Sequence, residues 1–216
     1  MDRLDEIFQS TNYIIHLAAL TDAASSFENS MEVEKVNFES IKIVTDLSLK
    51  HNIKVIHVSS TSVYGTQNDI VDENCERNEL NPQSPYAESK LKEEDHIQRF
   101  SKDMGLKACI FRFGTIFGIS PGIRFHTAVN KFCYQASLSK PISVWRTALN
   151  QKRPYLDIHD AINAFIFAIK EDLFEGEIFN IVTSNFSVQE ITDEIKEIIP
   201  DLKIELVDSE IMNQLS

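Results

Sequence analysis

The amino-acid sequence predicts an α/β protein, a parallel sheet covered by helices on both faces. Apolar runs of strand length alternate with stretches of helical period, the order expected when each parallel strand needs a crossover helix to reach the next. The strand-length runs are almost continuously apolar, as strands buried on both faces are. A third observation places the chemistry. The early strands end in small or polar residues, and open α/β sheets bind ligands beyond the carboxyl ends of their strands.

The elements follow in order. Residues 13–19 (Tyr-Ile-Ile-His-Leu-Ala-Ala) read as a buried strand ending in small residues. Residues 32–51 form a helix whose Val33, Val36, Phe38, Ile41, Val44 and Leu47 make a broad apolar face, with Asn52 as its stop. Residues 54–59 are the next strand. Pro85 suits the first turn of a helix running to residue 104, because the N–H it lacks has no intrahelical partner there, and Gly105 closes that helix. Residues 107–113 are a third strand. Beyond Gly114 the pattern changes to a loop holding Gly118, Pro121 and Gly122, a helix over 127–137, short extended segments at 141–145 and 154–158, and a helix over 160–170. Residues 177–182 read as a strand. Ser187 and Glu190 form a capping box ahead of a helix over 188–199, and residues 203–207 are a last strand. The change of pattern divides the chain into residues 1–118 and 119–216, with segments of the second part returning to the main sheet.

Composition narrows the function classes. The 216 residues carry a net charge of -12, which repels phosphate backbones and argues against a nucleic-acid partner. The longest apolar stretches are too short to span a bilayer, and Met1-Asp2-Arg3-Leu4-Asp5-Glu6 has no apolar signal core, so a cytoplasmic protein without a membrane partner is expected. Cys75, Cys109 and Cys133 are odd in number and widely spaced, fitting neither a zinc site nor a disulfide framework. His16 and His57 sit inside apolar strands as core histidines, and no metal site is expected.

Two clusters carry chemistry. Tyr86-Ala87-Glu88-Ser89-Lys90 opens a helix, and residues one turn apart project from the same face. A free phenol has a pKa of about 10, and a neighbouring ammonium favours the phenolate; lowering it by roughly three units takes about 4 kcal/mol. The tyrosine can then exchange a proton near neutral pH. Upstream, Val58-Ser59-Ser60-Thr61-Ser62-Val63-Tyr64-Gly65 is a buried strand running into hydroxyls, which can hold a substrate oxygen while the tyrosine moves its proton.

Taken together these segments resemble the extended short-chain dehydrogenase/reductases, within them the NAD-dependent epimerase/dehydratase group typified by UDP-galactose 4-epimerase. Tyr86 and Lys90 match the catalytic pair and Ser60 the catalytic Ser/Thr. Ile15-His16-Leu17-Ala18-Ala19 resembles the strand-4 motif whose loop lies along the cofactor, with Asn37 where the family has an asparagine in the next helix. Arg112-Phe113-Gly114-Thr115-Ile116-Phe117-Gly118 is similar to the strand-6 motif, and Arg153-Pro154-Tyr155-Leu156-Asp157-Ile158-His159-Asp160 to the segment whose arginine binds the nucleotide diphosphate. The resemblance implies a Rossmann-like doubly wound parallel sheet with a small α/β substrate-binding lobe. It implies NAD, with NADP not separable, held by Leu17, Ala18, Ala19, Asn37, Ser59, Tyr86, Lys90 and Phe113. It implies a nucleoside-diphosphate sugar held by Ser62, Thr115, Arg124 and Arg153, and a homodimer formed through the helices at 32–51 and 85–104.

The departures matter. The family's asparagine after strand 6 is Thr115 here, and the usual Gly-Thr after Asn37 is Ser40-Ile41. Ser60-Thr61-Ser62 stands where 4,6-dehydratases carry Thr-Asp-Glu, so epimerisation is favoured over loss of water. None of the six glycines forms a Gly-x-x-Gly-x-x-Gly turn, the first being Gly65, so the sheet is expected to be incomplete at its amino-terminal side. Two rival readings stay open: a truncated, non-catalytic relative acting as a binding module, and an NADP-dependent sugar-nucleotide reductase.

Overall fold

The computed structural model describes residues 2–21, 23, 25–67 and 70–208. In chain order its elements are α1 (Asp2–Gln9), β1 (Tyr13–His16), α2 (Ser30–His51), β2 (Lys54–Ser60), α3 (Pro85–Met104), β3 (Ala108–Phe113) and β4 (Thr115–Phe117). There follow α4 (Ala128–Ser137), β5 (Ile142–Trp145), β6 (Arg153–Asp157), α5 (Ile158–Lys170), β7 (Glu175–Ile181), β8 (Ser184–Phe186), α6 (Val188–Ile198) and β9 (Ile204–Val207). The chain forms two compact units, Met1–Phe113 with Ala164–Asn180, and Gly114–Asn163 with Ile181–Ser216.

The first unit is built on a sheet of order β1-β2-β3-β7, in which β1 and β2 and then β2 and β3 pair parallel, Ile15 opposite Ile56 and His57 opposite Ile110. Every residue of β3 is buried, and its side chains alternate between two apolar surroundings. Ala108 and Ile110 join Val55, Ile41, Leu47 and Ile97 in the core beneath α2 and α3. Phe111 and Phe113 turn the other way onto Phe165 of α5, Phe111 stacked on its ring and Phe113 tilted against it. A strand clothed on both sides must be apolar throughout, which is why the sequence pattern betrayed it.

The helix boundaries obey local chemistry. Ser84 caps α3 by accepting from the Ala87 N–H at 3.1 Å, and Pro85 fills its first position. Asn52 and Gly105 end α2 and α3 in the left-handed conformation. Two elements escaped the sequence reading here: α1, whose polar surface hides a stripe anchored by the buried Phe8, and the early end of β1 at His16 instead of residue 19.

In the second unit β6 pairs parallel with β4 and antiparallel with β8, and β5 pairs parallel with β9. Phe132, Ile142, Val144, Tyr155, Val188, Ile191 and Ile195 form its core. The short strands β4 and β8 were not anticipated, three residues each being too few to show a period. Ser187 and Glu190 make the expected reciprocal capping box on α6.

Two left-handed glycines separate steric need from backbone freedom. At Gly65 φ is +64°, and an added Cβ would lie 1.8 Å from the Asn81 carbonyl oxygen; at Gly105 φ is +71° with nothing within 4 Å. Gly105→Ala therefore meets only the backbone cost, about 1 kcal/mol. Gly65→Ala must also displace a loop, and is expected to lose about 3 kcal/mol and about 6–12 °C of melting temperature. Parallel thermal melts of the two variants test this; equal losses would show that the loop at Asn81 yields freely.

Candidate active site

The site grows out of α3 lying along β2. From β2 the side chains of Val55, His57 and Ser59 alternate toward one face: Val55 into the core beneath α2 and α3, His57 and Ser59 onto Glu93 and Glu94 of α3. Lys90, only 2% exposed, sends its Nζ to the Val58 carbonyl oxygen at 3.1 Å and to Glu93 Oε2 at 3.0 Å. That fixes the ammonium at the carboxyl end of β2, two residues before Ser60. Tyr86 lies one helical turn earlier, half-buried, its backbone N–H donating to Ser26 Oγ at 3.3 Å.

The chain leaves β2 through a 3₁₀ turn, Thr61–Tyr64, capped by Ser60 itself, whose Oγ accepts from the Ser62 N–H at 3.2 Å. Thr61 Oγ1 donates to the Phe113 carbonyl at 3.2 Å and ties this turn to the end of β3. The hydroxyl of Ser62 is buried and has no hydrogen-bond partner among the described residues. A polar atom in that state normally awaits a ligand or water.

The other residues singled out in the sequence fall into two groups. In the first unit Leu17 is 61% exposed and Ala18 exposed on the loop after β1, with Ala19 half-buried. Asn37 is fully buried and clasps the same loop, its Oδ1 accepting from the Leu20 N–H at 2.8 Å and its Nδ2 donating to the Leu20 carbonyl at 3.1 Å. Ser59 donates to Glu94 Oε1, and Phe113 is packed among Phe111 and Phe165; both side chains are engaged in the interior. Thr115, Arg124 and Arg153 belong to the second unit. Thr115 is exposed on β4, and Arg124 lies on the loop whose two ends Asn130 holds, accepting from Gly118 N–H and donating to the Arg124 carbonyl. Arg153 opens β6, half-buried, with Nη2 donating to Gln151 Oε1 at 3.0 Å; burial lowers its pKa and Tyr155 opposes that. Between α4 and the preceding loop lies a largely apolar cavity of about 390 Å³, walled by Ile119, Ile123, Phe125, Val129 and Tyr134.

Sequence reasoning missed an ionic layer beneath the site. Glu94 accepts from Arg112 Nε at 3.0 Å and Nη2 at 2.7 Å, and Arg112 Nη1 donates to Tyr64 Oη at 2.9 Å, which donates in turn to Asn180 Oδ1 at 3.0 Å. Burial works against the Arg112 charge, but Glu94 and Tyr64 outweigh it and hold the guanidinium ionised. The signal was present: an arginine inside the otherwise apolar Ala-Cys-Ile-Phe-Arg-Phe strand requires a buried anion. The second branch joins Glu93 to Lys90, to Ser89 Oγ at 2.9 Å and to His57 Nε2 at 3.2 Å, the last an ionic contact outside good hydrogen-bond geometry. His57 Nδ1 lies 3.3 Å from His16 Nδ1. These two histidines correct the reading of satisfied core residues, because His16 Nε2 and His57 Nε2 are both buried without a hydrogen-bond partner among the described residues. Burial pushes the Glu93 carboxyl up, but His57 and Lys90 overcome it and bring the pKa down to about 2. Burial, with His57 and Lys90 beside it, takes His16 down to about 4, and burial lowers His57 too. The three thiols are all pushed up by burial, Cys109 to about 12, which makes them poor nucleophiles.

Comparison with known proteins gives the geometry its setting. A family model described as the NAD dependent epimerase/dehydratase family matches residues 1–182. A Bacillus subtilis (strain 168) protein named as an uncharacterized UDP-glucose epimerase is 26% identical over 182 residues, 82% of this chain and 55% of the relative. A dTDP-D-glucose 4,6-dehydratase of Dictyostelium discoideum is 29% identical over 192 residues, 83% of this chain and 43% of the relative. The chain thus spans about half the length of these relatives. Among solved structures, the UDP-glucuronic acid 4-epimerase of Bacillus cereus, in complex with UDP-glucuronic acid and NAD, superposes with a TM-score of 0.84 at 24% identity, covering 95% of this chain and 65% of that one. The likeness establishes the Rossmann-like α/β fold.

The buried histidines and Glu93 set an acid limit on stability. His16 binds its proton less readily folded (about 4) than at its ordinary 6.5, so stability falls as pH drops from 6.5 towards 4. That loss is about 3 kcal/mol at most. Glu93, ordinarily 4.5 and here about 2, contributes stability above 4.5 that is lost as pH falls towards 2. Urea midpoints at pH 7 and pH 5 should differ clearly, and by less in a His16→Gln variant; identical shifts in both proteins would refute the assignment to His16.

Proposed function

The chain belongs to the NAD-dependent epimerase/dehydratase family, and we propose that its site transfers the proton in an NAD-dependent oxidation–reduction at a hydroxyl of a nucleoside-diphosphate sugar, epimerising instead of dehydrating. One observation carries this reading: the Lys90 ammonium is anchored on the Val58 carbonyl at 3.1 Å, one turn from Tyr86 on the same helix and at the strand end that delivers Ser60.

Each residue has a role its surroundings support. Tyr86 exchanges the proton of the sugar hydroxyl, and the fixed positive charge of Lys90 favours the phenolate it must pass through. Ser60 Oγ uses a lone pair to cap the turn, which leaves its O–H hydrogen to donate to the substrate oxygen. The orphan hydroxyl of Ser62 is assigned to the same substrate. Absence of an acidic pair from Ser60-Thr61-Ser62 leaves no general acid to expel water, which favours epimerisation. Thr115, Arg124 and Arg153 are assigned to the nucleotide part, a guanidinium being the natural fork for a diphosphate.

The residues fit the nicotinamide end of the cofactor: the Lys90 ammonium and the loop of Leu17, Ala18 and Ala19 stand at strand ends. No Gly-x-x-Gly-x-x-Gly turn among the 216 residues supplies backbone donors for a pyrophosphate. When bound, the cofactor supplies hydride acceptance and return. The choice of NAD over NADP rests on the family and on NAD in the Bacillus cereus structure.

Purified protein is to be titrated with NAD and NADP, then given UDP-sugars while reduced-nicotinamide absorbance and sugar interconversion are followed. Tyr86→Phe is expected to lower turnover by about 10²–10⁴-fold without moving the melting temperature. Undiminished turnover in Tyr86→Phe would overturn the catalytic assignment, and sugar-nucleotide binding without turnover by the unaltered protein would favour a binding module.

A further inference from the structure

A fully buried carboxylate beside the proposed catalytic lysine needs a reason. Glu93 is 0% exposed and Lys90 is 2% exposed, and replacing such a pair by apolar side chains of similar volume is often neutral or stabilising. The task of bonding α3 to the sheet is already performed by Glu94 with Arg112 and Ser59. Glu93 instead gathers three neighbours, Lys90 Nζ at 3.0 Å, Ser89 Oγ at 2.9 Å and His57 Nε2 at 3.2 Å.

The groups around it favour one arrangement of protons. An ionised carboxylate only accepts, so Glu93 Oε2, 3.2 Å from His57 Nε2, favours the tautomer with hydrogen on that nitrogen, although the angle lies outside hydrogen-bond geometry and Nε2 has no hydrogen-bond partner among the described residues. Burial lowers the pKa of His57 against the pull of Glu93, and in the neutral Nε2–H form its Nδ1 is bare and accepting. The 3.3 Å contact between the two Nδ1 atoms then requires hydrogen on His16 Nδ1, and His16 Nε2 is the bare nitrogen buried without a partner among the described residues. Each group in the line dictates the tautomer of the next.

We propose that Glu93 is a positioning residue for Lys90, and that His57 and His16 hold Glu93 in place through this fixed sequence of tautomers. A lysine stem has many rotamers; Glu93 and the Val58 carbonyl reduce them to one, and the ammonium stays one turn from Tyr86. The catalytic consequence rests on the reading of Tyr86 and Lys90 given above; the arrangement itself does not. This sequence places the carboxylate three residues after Lys90 and the two histidines opposite each other on β1 and β2, His16 in register with His57.

The test uses the full chain labelled with ¹⁵N. Imidazole spectra at neutral pH should show His57 as the Nε2–H tautomer and His16 as the Nδ1–H tautomer, with a slowly exchanging Lys90 ammonium signal. Glu93→Leu should mix both tautomers, abolish the ammonium signal and lower kcat by about 10–100-fold with KM within about twofold. Glu93→Gln keeps an accepting oxygen toward Lys90 and His57, and should restore the tautomers and most of kcat. Should Glu93→Leu not fold, His57→Leu replaces it, with a mixed His16 tautomer and lowered kcat expected. Reversed or mixed tautomers in the unaltered protein overturn the proposal, as does a Lys90 signal or kcat indifferent to these changes. If the unaltered protein turns over no sugar nucleotide, the enzyme reading fails separately, and the Lys90 ammonium signal alone decides whether Glu93 positions it.

Discussion

Two carboxylates at consecutive positions on one helix govern how this protein is assembled around its site. Successive helical residues diverge by about 100°, so Glu93 and Glu94 reach different partners from the same turn of α3. Glu94 takes Arg112 of β3 and Ser59 of β2; Glu93 takes Lys90 of its own helix and His57 of β2. An apolar interface would let α3 slide or rotate among near-equivalent packings. Buried charges do not, because any slip leaves an ion unpaired in a low-dielectric interior, a loss of about 3–5 kcal/mol. The rotation of α3 about its axis is thereby set, and with it the direction in which Tyr86 projects.

The hydroxyl side is held by different means. Ser60 caps the turn that follows its own strand, Thr61 ties that turn to the end of β3, and Gly65 ends it in a conformation closed to other residues by the Asn81 carbonyl. Short polar contacts and one steric exclusion do here what ion pairs do for the helix. The two devices meet on β2, where Val58 accepts from Lys90 and Ser60 begins the turn. A strand paired on both edges is a stiff platform for both.

Much of this was legible because local rules and the global fold agree. Continuous apolar runs located β2 and β3, a proline and a glycine bracketed α3, and Ser187 with Glu190 announced α6. Where the reading failed, the decisive physics was not local. The helix α1 owes its place to Phe8 buried against α2 and the sheet, a tertiary contact invisible in a polar octapeptide. β4 and β8 exist because β6 pairs with them. Glu93 and Glu94 went unremarked, since in sequence a solvated carboxylate and a buried one are the same letter. Asn37 was noticed for its position, but its action on Leu20 depends on a loop whose path the sequence does not specify.

The hydrogens on Lys90 and Ser60 link the helix to the hydroxyl turn. The Lys90 ammonium has three, and among the described residues Val58 and Glu93 take two of them. Ser60 has one, and the cap that it forms consumes a lone pair and not that hydrogen. Had Glu93 been absent, Lys90 could have turned its donors toward the hydroxyl cluster and competed with any incoming oxygen. Had the turn been capped by a backbone carbonyl, Ser60 would have spent its hydrogen on the protein. Among the described residues, the arrangement leaves one ammonium hydrogen and one hydroxyl hydrogen uncommitted at the end of the same strand. Donors kept in reserve and unable to move are what a site needs if it is to stabilise charge developing on a substrate oxygen.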